Sequence, residues 1–300
     1  MSESGARTGV IHDIGYRNYD GARLGRWYLI RSLFSQSLRG AYGLGRPVKS
    51  KIMPMFLLAT MVFPTLIIVV VTIVTNLTEL PLEYTEYIPI TFYLTAIYLA
   101  AQAPQLVSRD LRFRVVPLYF SRPLTYVDYV LAKYAAMVAA LLILLGAPLL
   151  VMYGGALLAD LPFWAQTKGL AQGLVGALFY ALVLAGLGLM ISSVTPRRGF
   201  GVAAIITVVV VTYTVVTAVQ GIAISVVDNP TLATYAELFT PFNLVNSFQL
   251  WMFGAAENPI FDELRPPSGW QGVVFAATIV AVIAGSFGFL LLRYRKVSAL

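Results

Sequence analysis

Six long runs without a single Asp, Glu, Lys, Arg or His constrain this chain more than any other feature. They are Ile52–Thr78, Tyr87–Ser108, Tyr134–Ala159, Gly169–Pro196, Gly199–Val227 and Pro266–Leu292. Each exceeds the roughly 20 residues with which an α-helix crosses about 30 Å of hydrocarbon. A segment isolated in lipid must also satisfy its own backbone hydrogen bonds, which a helix does. The expectation is an all-α integral membrane protein with six transmembrane helices, at about 52–76, 87–107, 128–153, 169–194, 200–227 and 270–293. Composition agrees, with 58% hydrophobic and 12% charged residues, against roughly 45–50% and about 25% in soluble domains.

A seventh uncharged run, Leu238–Ala256, contains Pro241, Asn243, Asn246, Ser247 and Gln249, which are costly at the centre of a bilayer. Charge parity decides its placement, because cytoplasmic loops collect Lys and Arg. Six spans with the N-terminus inside put all but Lys168 and Arg265 of the 21 basic residues on the inner side. A seventh span would carry Arg293, Arg295 and Lys296 outside. Both termini are therefore expected in the cytosol, with 238–256 a re-entrant or interfacial helix before the sixth span. Phe242, Asn243, Phe248 and Trp251 in it are candidates for an outer gate.

The chain divides into a polar tail (1–21), an interfacial amphipathic helix (22–50), a six-span domain (51–296) and a short cytoplasmic tail (297–300). The first tail lacks the apolar core of a cleaved signal peptide. In 22–50, Trp27, Ile30, Phe34, Leu38 and Ala41 form one helical stripe flanked by Arg26 and Arg31, although Arg23 falls on it. The pattern suits a helix lying in the membrane interface with guanidinium groups reaching phosphates. It also suits an ordinary juxtamembrane anchor. Gly169, Gly173, Gly176, Gly186 and Gly188 would let the fourth span approach a neighbour closely. Thr207, Thr212, Thr214, Thr217 and Gln220 on the fifth either line a path or bond back to their own helix.

Much chemistry is excluded. Cysteine is absent, and the lone histidine, His12, sits beside Asp13 in the tail, so neither a metal centre nor a catalytic triad is expected. No span has a charge in its middle, which disfavours a proton relay. No Gly-Lys pair occurs anywhere, so the phosphate-binding loop GxxxxGK[ST] is missing. The chain is not expected to be an enzyme, and any uphill work must draw on nucleotide hydrolysed elsewhere. The formal charge of +7 reads as loops held against anionic lipid, not as nucleic-acid binding.

One cytoplasmic stretch stands out. Gln105–Lys133 carries Arg109, Arg112, Arg114, Arg122 and Lys133, with Asp110 and Asp128 among them. A helix through Ser108–Val116 is expected to end near Pro117. A second is expected to start after Pro123, with Thr125 as N-cap and Asp128 at its third helical position, where the dipole favours an acid. Arg109, Asp110, Arg112, Arg114 and Arg122 are candidates for pairing with a protein partner. Val115, Val116, Leu118, Tyr119 and Phe120 are candidates for filling an apolar groove on it. The plainer reading is a loop whose arginines only set topology.

The run SRDLRFRVVPLYFSRPLTYVDYVLAKYAA resembles the segment between the second and third spans of type-2 permeases of ATP-binding cassette (ABC) exporters. SSVTPRRGFG (Ser192–Gly201) is similar to their short basic loop between spans four and five, and ELFTPFNLVNSF (Glu237–Phe248) to their outer segment before the last span. The resemblance implies a coupling helix between spans 2 and 3 that seats in a groove of a cytoplasmic ABC ATPase. It also implies two ATPase copies per complex, a second copy of this permease or a homologous one, and a surrounding lipid membrane. ATP and magnesium would reside on the ATPase, with no cofactor on this chain. The expected activity is export of a hydrophobic or amphipathic cargo across a plasma membrane, in all expectation a bacterial one. The competing classes are a non-transporting membrane scaffold or assembly subunit and an ion-coupled secondary carrier.

Overall fold

Two long antiparallel helices carry the architecture. The computed structural model describes residues 24–113, 115–121, 123–254 and 267–298, with 297 and 298 as backbone only. All regular structure among them is helical. The central pair is α7 (Tyr126–Leu158) and α8 (Phe163–Val194). More than half of the apolar window of each is buried, 56% in both, whereas the other three long helices bury only 28%, 17% and 22%. Those three are α2 (Lys49–Val74), α9 (Arg198–Ser225) and α12 (Trp270–Ser298). They form an outer ring whose free faces are Val, Ile, Leu and Phe, as lipid contact requires. Among the described residues five helices are thus long and apolar enough to cross a membrane, and the chain is a multi-pass membrane protein.

The expected continuous span over 87–107 takes a different form. It is a single turn, α3 (Tyr87–Ile90), followed by α4 (Phe92–Leu106) of 15 residues. At about 1.5 Å per residue α4 is roughly 22 Å long, short of a full crossing. The turn closes on itself at Thr91, whose N–H and hydroxyl both donate to the carbonyls of Tyr87 and Ile88. Eleven of the 15 residues of α4 are buried, because it lies against α7, α8 and α9 rather than against lipid.

Small residues set the close crossings. A side chain at Gly188 would lie 2.6 Å from Leu99 Cδ1 on α4, and one at Gly169 2.7 Å from Tyr84 Cδ2. Gly173 also faces Tyr84, Gly186 faces Ser286 on α12, and Gly155 of α7 faces Val69 on α2. The glycines of α8 therefore serve several different partners, where the sequence suggested close approach to one neighbour.

Before the last helix come α10 (Pro230–Ala236), a 3₁₀ turn over Glu237–Phe239, and α11 (Pro241–Phe253), the last forming most of the uncharged run 238–256, whose final two residues lie outside the described residues. Thr240 caps α11 through its hydroxyl, which accepts from the Asn243 N–H at 3.1 Å, and Gly254 ends it with φ +63°. At 13 residues it is too short to span. It packs on α8 and α12, so its polar side chains meet protein: Asn246, Ser247 and Gln249 are all buried.

Candidate functional site

At the end of the bundle where α7 begins, the chain makes an elbow of two short helices, α5 (Ser108–Arg112) and α6 (Val116–Phe120). The expected single helix ending near Pro117 is corrected here. The first helix ends at Arg112 and the second begins at Val116, with Pro117 in its first turn. A proline in a first helical turn has no N–H to leave unpaired and its fixed φ already suits the helix, so Pro117 starts structure rather than stopping it.

The start of α7 is as expected. Thr125 Oγ1 accepts from the Asp128 N–H (3.3 Å), and Asp128 Oδ2 accepts from the Thr125 N–H (2.9 Å), a complete capping box. The same carboxylate is gripped by Arg26 of α1 (Arg26–Ala41), with Nε to Oδ2 and Nη2 to Oδ1 both 2.8 Å. These bonds, and then the charge of Asp128, hold the Arg26 pKa above its ordinary value.

One turn on, Asp110 of α5 is turned inward. Its Oδ2 accepts from the Tyr129 hydroxyl at 2.8 Å and lies 2.9 Å from Lys133 Nζ. Tyr129 is fully buried, and its ring is packed by Tyr119 (5.6 Å between centroids), Phe120 (6.3 Å) and Tyr294 of α12 (4.9 Å). Lys133 Nζ stands 5.5 Å from that ring. Ser108 Oγ donates to the Ser192 carbonyl on the last turn of α8 (2.9 Å), and Gln105 Nε2 to the Gly40 carbonyl on α1 (3.1 Å). The elbow is thereby fixed to α7, α8 and α12, and α4, which leads into it, is fixed to α1.

This geometry sorts the candidates on the elbow. Arg109 and Arg112 are exposed, and Leu118 is 65% exposed. Asp110 and Val116 are not available to a partner, since Asp110 is committed internally and Val116 is in the core. Val115 is half-buried, and Tyr119 and Phe120 are half-buried against Tyr129. Arg114 and Arg122, with the tail 1–21, lie outside the described residues. Sequence reasoning passed over Phe113, 65% exposed between the two short helices with Arg112 Cζ 5.7 Å from its ring. The i, i+4 pair Tyr129 and Lys133 was the signal for an inward-facing polar stack.

Elsewhere the placement differs more. On α1, Trp27 is exposed, whereas Ile30, Phe34 and Leu38 are half-buried and the buried face is Leu33, Ser37, Gly40 and Ala41. The helix is seated on α7 and α4, and its protein side is rotated away from Trp27. On α9 the polar row is split. Thr212 and Thr214 bond back to the carbonyls of Val208 (2.6 Å) and Val210 (2.9 Å). Thr207 is exposed and Thr217 half-buried. Thr212 borders an apolar cavity of about 280 Å³ between α4, α8, α9 and α11. Gln220 is buried, its Nε2 donating to Glu237 Oε1 at 3.1 Å, and Ser247 donates to the same carboxylate. Two of the expected gate residues are core residues: Phe242 packs on Phe92 and Tyr180, and Phe248 on Phe179. Asn243 and Trp251 are half-buried.

The site offers exposed cations and two exposed apolar side chains on a base tied to the neighbouring helices. No protein-family model matches the chain, and no curated protein matches it either.

Proposed function

We propose that this chain is the membrane-spanning permease subunit of a type-2 ABC exporter, moving a hydrophobic or amphipathic cargo with energy from a separate ATPase. In this reading α3 and α4 together make the second of six spans, both termini are cytoplasmic, and the α5–α6 elbow is the coupling element. The observation that carries it is the elbow itself. Arg112, Phe113 and Leu118 project from a base tied to α7 through Asp110 and Tyr129 and to α8 through Ser108. Exposed large apolar side chains beside cations favour a protein partner over solvent. A base so tied would pass a displacement of the ATPase into α7 and α8 and change which side of the membrane the cargo can reach.

Replacing Arg112 with Glu together with Leu118 with Asp tests this reading. Both positions are exposed, so the chain should still fold and insert. An ATP-hydrolysing protein that co-purifies with the unaltered chain should be lost, along with cargo-stimulated hydrolysis. Undiminished co-purification would sink the proposal, and activity of the chain expressed alone would favour a scaffold.

A further inference from the structure

Beside the elbow lies a recess of about 210 Å³, walled by α1, the α4–α5 junction and α7. Its charged members are Arg46, Arg109 and Lys133 against a single carboxylate, Asp110, and Ser37 and Gln105 complete the polar wall. Asp110 is already shared between Lys133 and Tyr129. Among the described residues no carboxylate lies within salt-bridge distance of Arg46 or Arg109. Burial first, then the facing cations of Arg109 and Arg198, lowers the Arg46 pKa from its ordinary value. Ser37 is buried, and its hydroxyl has no hydrogen-bond partner among the described residues.

Gathering cations around a half-buried guanidinium is unfavourable unless an anion joins them. Arg and Lys offer donors only, so the match must supply several acceptor oxygens. A tetrahedral phosphate does so, and suits the planar fork of arginine as well. The recess is far larger than the roughly 10–15 Å³ that holds one water, so a phosphate group fits with some of its hydration. Entry is available, because Gln36, Gly40 and Arg46 also border a wider opening of about 540 Å³ along α1, which Arg31 and Arg39 line. Gly43 shapes the chain that returns Arg46 to α1: its φ is +67°, and a side chain there would strike the Ser50 and Lys51 backbone.

We infer that this recess is a phosphate-binding site, taking either the headgroup of an anionic phospholipid or a soluble phosphate between Arg46, Arg109 and Lys133. The site does not depend on an ATPase partner and can be tested on the chain alone.

The purified full chain in neutral detergent is heated with inorganic phosphate at constant ionic strength, or with phosphatidic acid in the micelles against equal phosphatidylcholine. One of the two ligands should raise the unfolding midpoint saturably. A rise with phosphate alone identifies a soluble ligand, and a rise confined to phosphatidic acid identifies a lipid. Arg46→Gln and Arg109→Gln should each weaken the apparent affinity about tenfold or more, as loss of a charge-assisted hydrogen bond does. Arg112→Gln, outside the recess, should change it by less than about twofold. Should Arg46→Gln fail to fold, the exposed Arg109→Gln gives the same reading. No saturable rise with either ligand would overturn the site. Equal affinity in the folded Arg46→Gln or Arg109→Gln variant would also overturn it.

Discussion

Lys133 Nζ on α7 lies 2.9 Å from Asp110 Oδ2 on α5, and the two side chains are only 9% and 15% exposed. Burying two charges costs several kcal/mol per ion before their attraction is counted. The pair is therefore better understood as a device for placement than as a source of stability. It pins the first half of the elbow to the helix that leads into the bundle core, and Tyr129 supplies the additional donor that a buried carboxylate needs.

Breaking this pair on one side should be much worse than removing it altogether. Lys133→Met takes the ion-pair partner from a largely buried Asp110, and should destabilise the chain by about 3–5 kcal/mol. Lys133→Met with Asp110→Asn should recover most of that loss. Tyr129→Phe, which removes one hydrogen bond to a charged acceptor, should cost about 1.5–3 kcal/mol. Unfolding midpoints in detergent across the double-mutant cycle measure the coupling. Additive single effects would show that the two residues do not act together.

The clasp between α1 and α7 has separable parts. Thr125→Ala removes the cap of α7 and should cost about 0.5–2 kcal/mol, whereas Thr125→Asn should cost little. Arg26→Ala keeps the cap and releases only the grip on α1. Amide exchange should therefore quicken in Arg26–Ala41 and stay unchanged in the middle of α7. Uniform quickening of both helices would show that α1 is not held separately.

What the sequence made legible and what it hid divide along range. The capping box was readable because Thr125 and Asp128 are three residues apart and both act on the first turn of one helix. The uncharged runs located the long helices because apolar continuity is all that lipid demands. Asp110 was misread as a partner-facing acid, since its true partners lie on another helix, and no local pattern reports a contact across 19 or 23 residues. Pro117 was misread as a stop because the chemistry of proline is the same at a helix start and after a helix end. The split at Thr91 escaped because an apolar stretch buried in protein looks like one that spans lipid. On α1 the apolar stripe was correctly seen as helical, but Trp27 drew it toward the wrong face.

The crossing of α2 over α7 should depend on one missing methyl group. A side chain at Gly155 would overlap both γ carbons and the β carbon of Val69. A β-branched residue in a helix has one strongly preferred rotamer, so Val69 cannot swing aside and α2 must move instead. Gly155→Ala should cost about 1–3 kcal/mol of overpacking, and adding Val69→Ala should restore most of it. At Gly188 the neighbour is the end of the more pliable Leu99, and Gly188→Ala should cost less. Thermal midpoints of the three variants test the order. An undisturbed Gly155→Ala would mean that the two helices stand further apart than described.

A last prediction runs against the usual direction of core mutations. Gln249 of α11 is 1% exposed, and neither its Nε2 nor its Oε1 has a hydrogen-bond partner among the described residues. The amide is seated against the bare backbone of Gly176, where a side chain on α8 would overlap it. An unmade hydrogen bond costs about 1–3 kcal/mol for each buried polar group, whereas a flexible thioether of similar length fills the same space with no polar atom to satisfy. Gln249→Met should therefore raise the unfolding midpoint, by the equivalent of about 1–3 kcal/mol. Gln249→Ala should lower it, because the cavity left against Gly176 outweighs the relief. If Gln249→Met unfolds at a lower temperature than the unaltered chain, the amide is hydrogen-bonded in the folded protein, and the α8–α11 seam is held by polar contact rather than by packing.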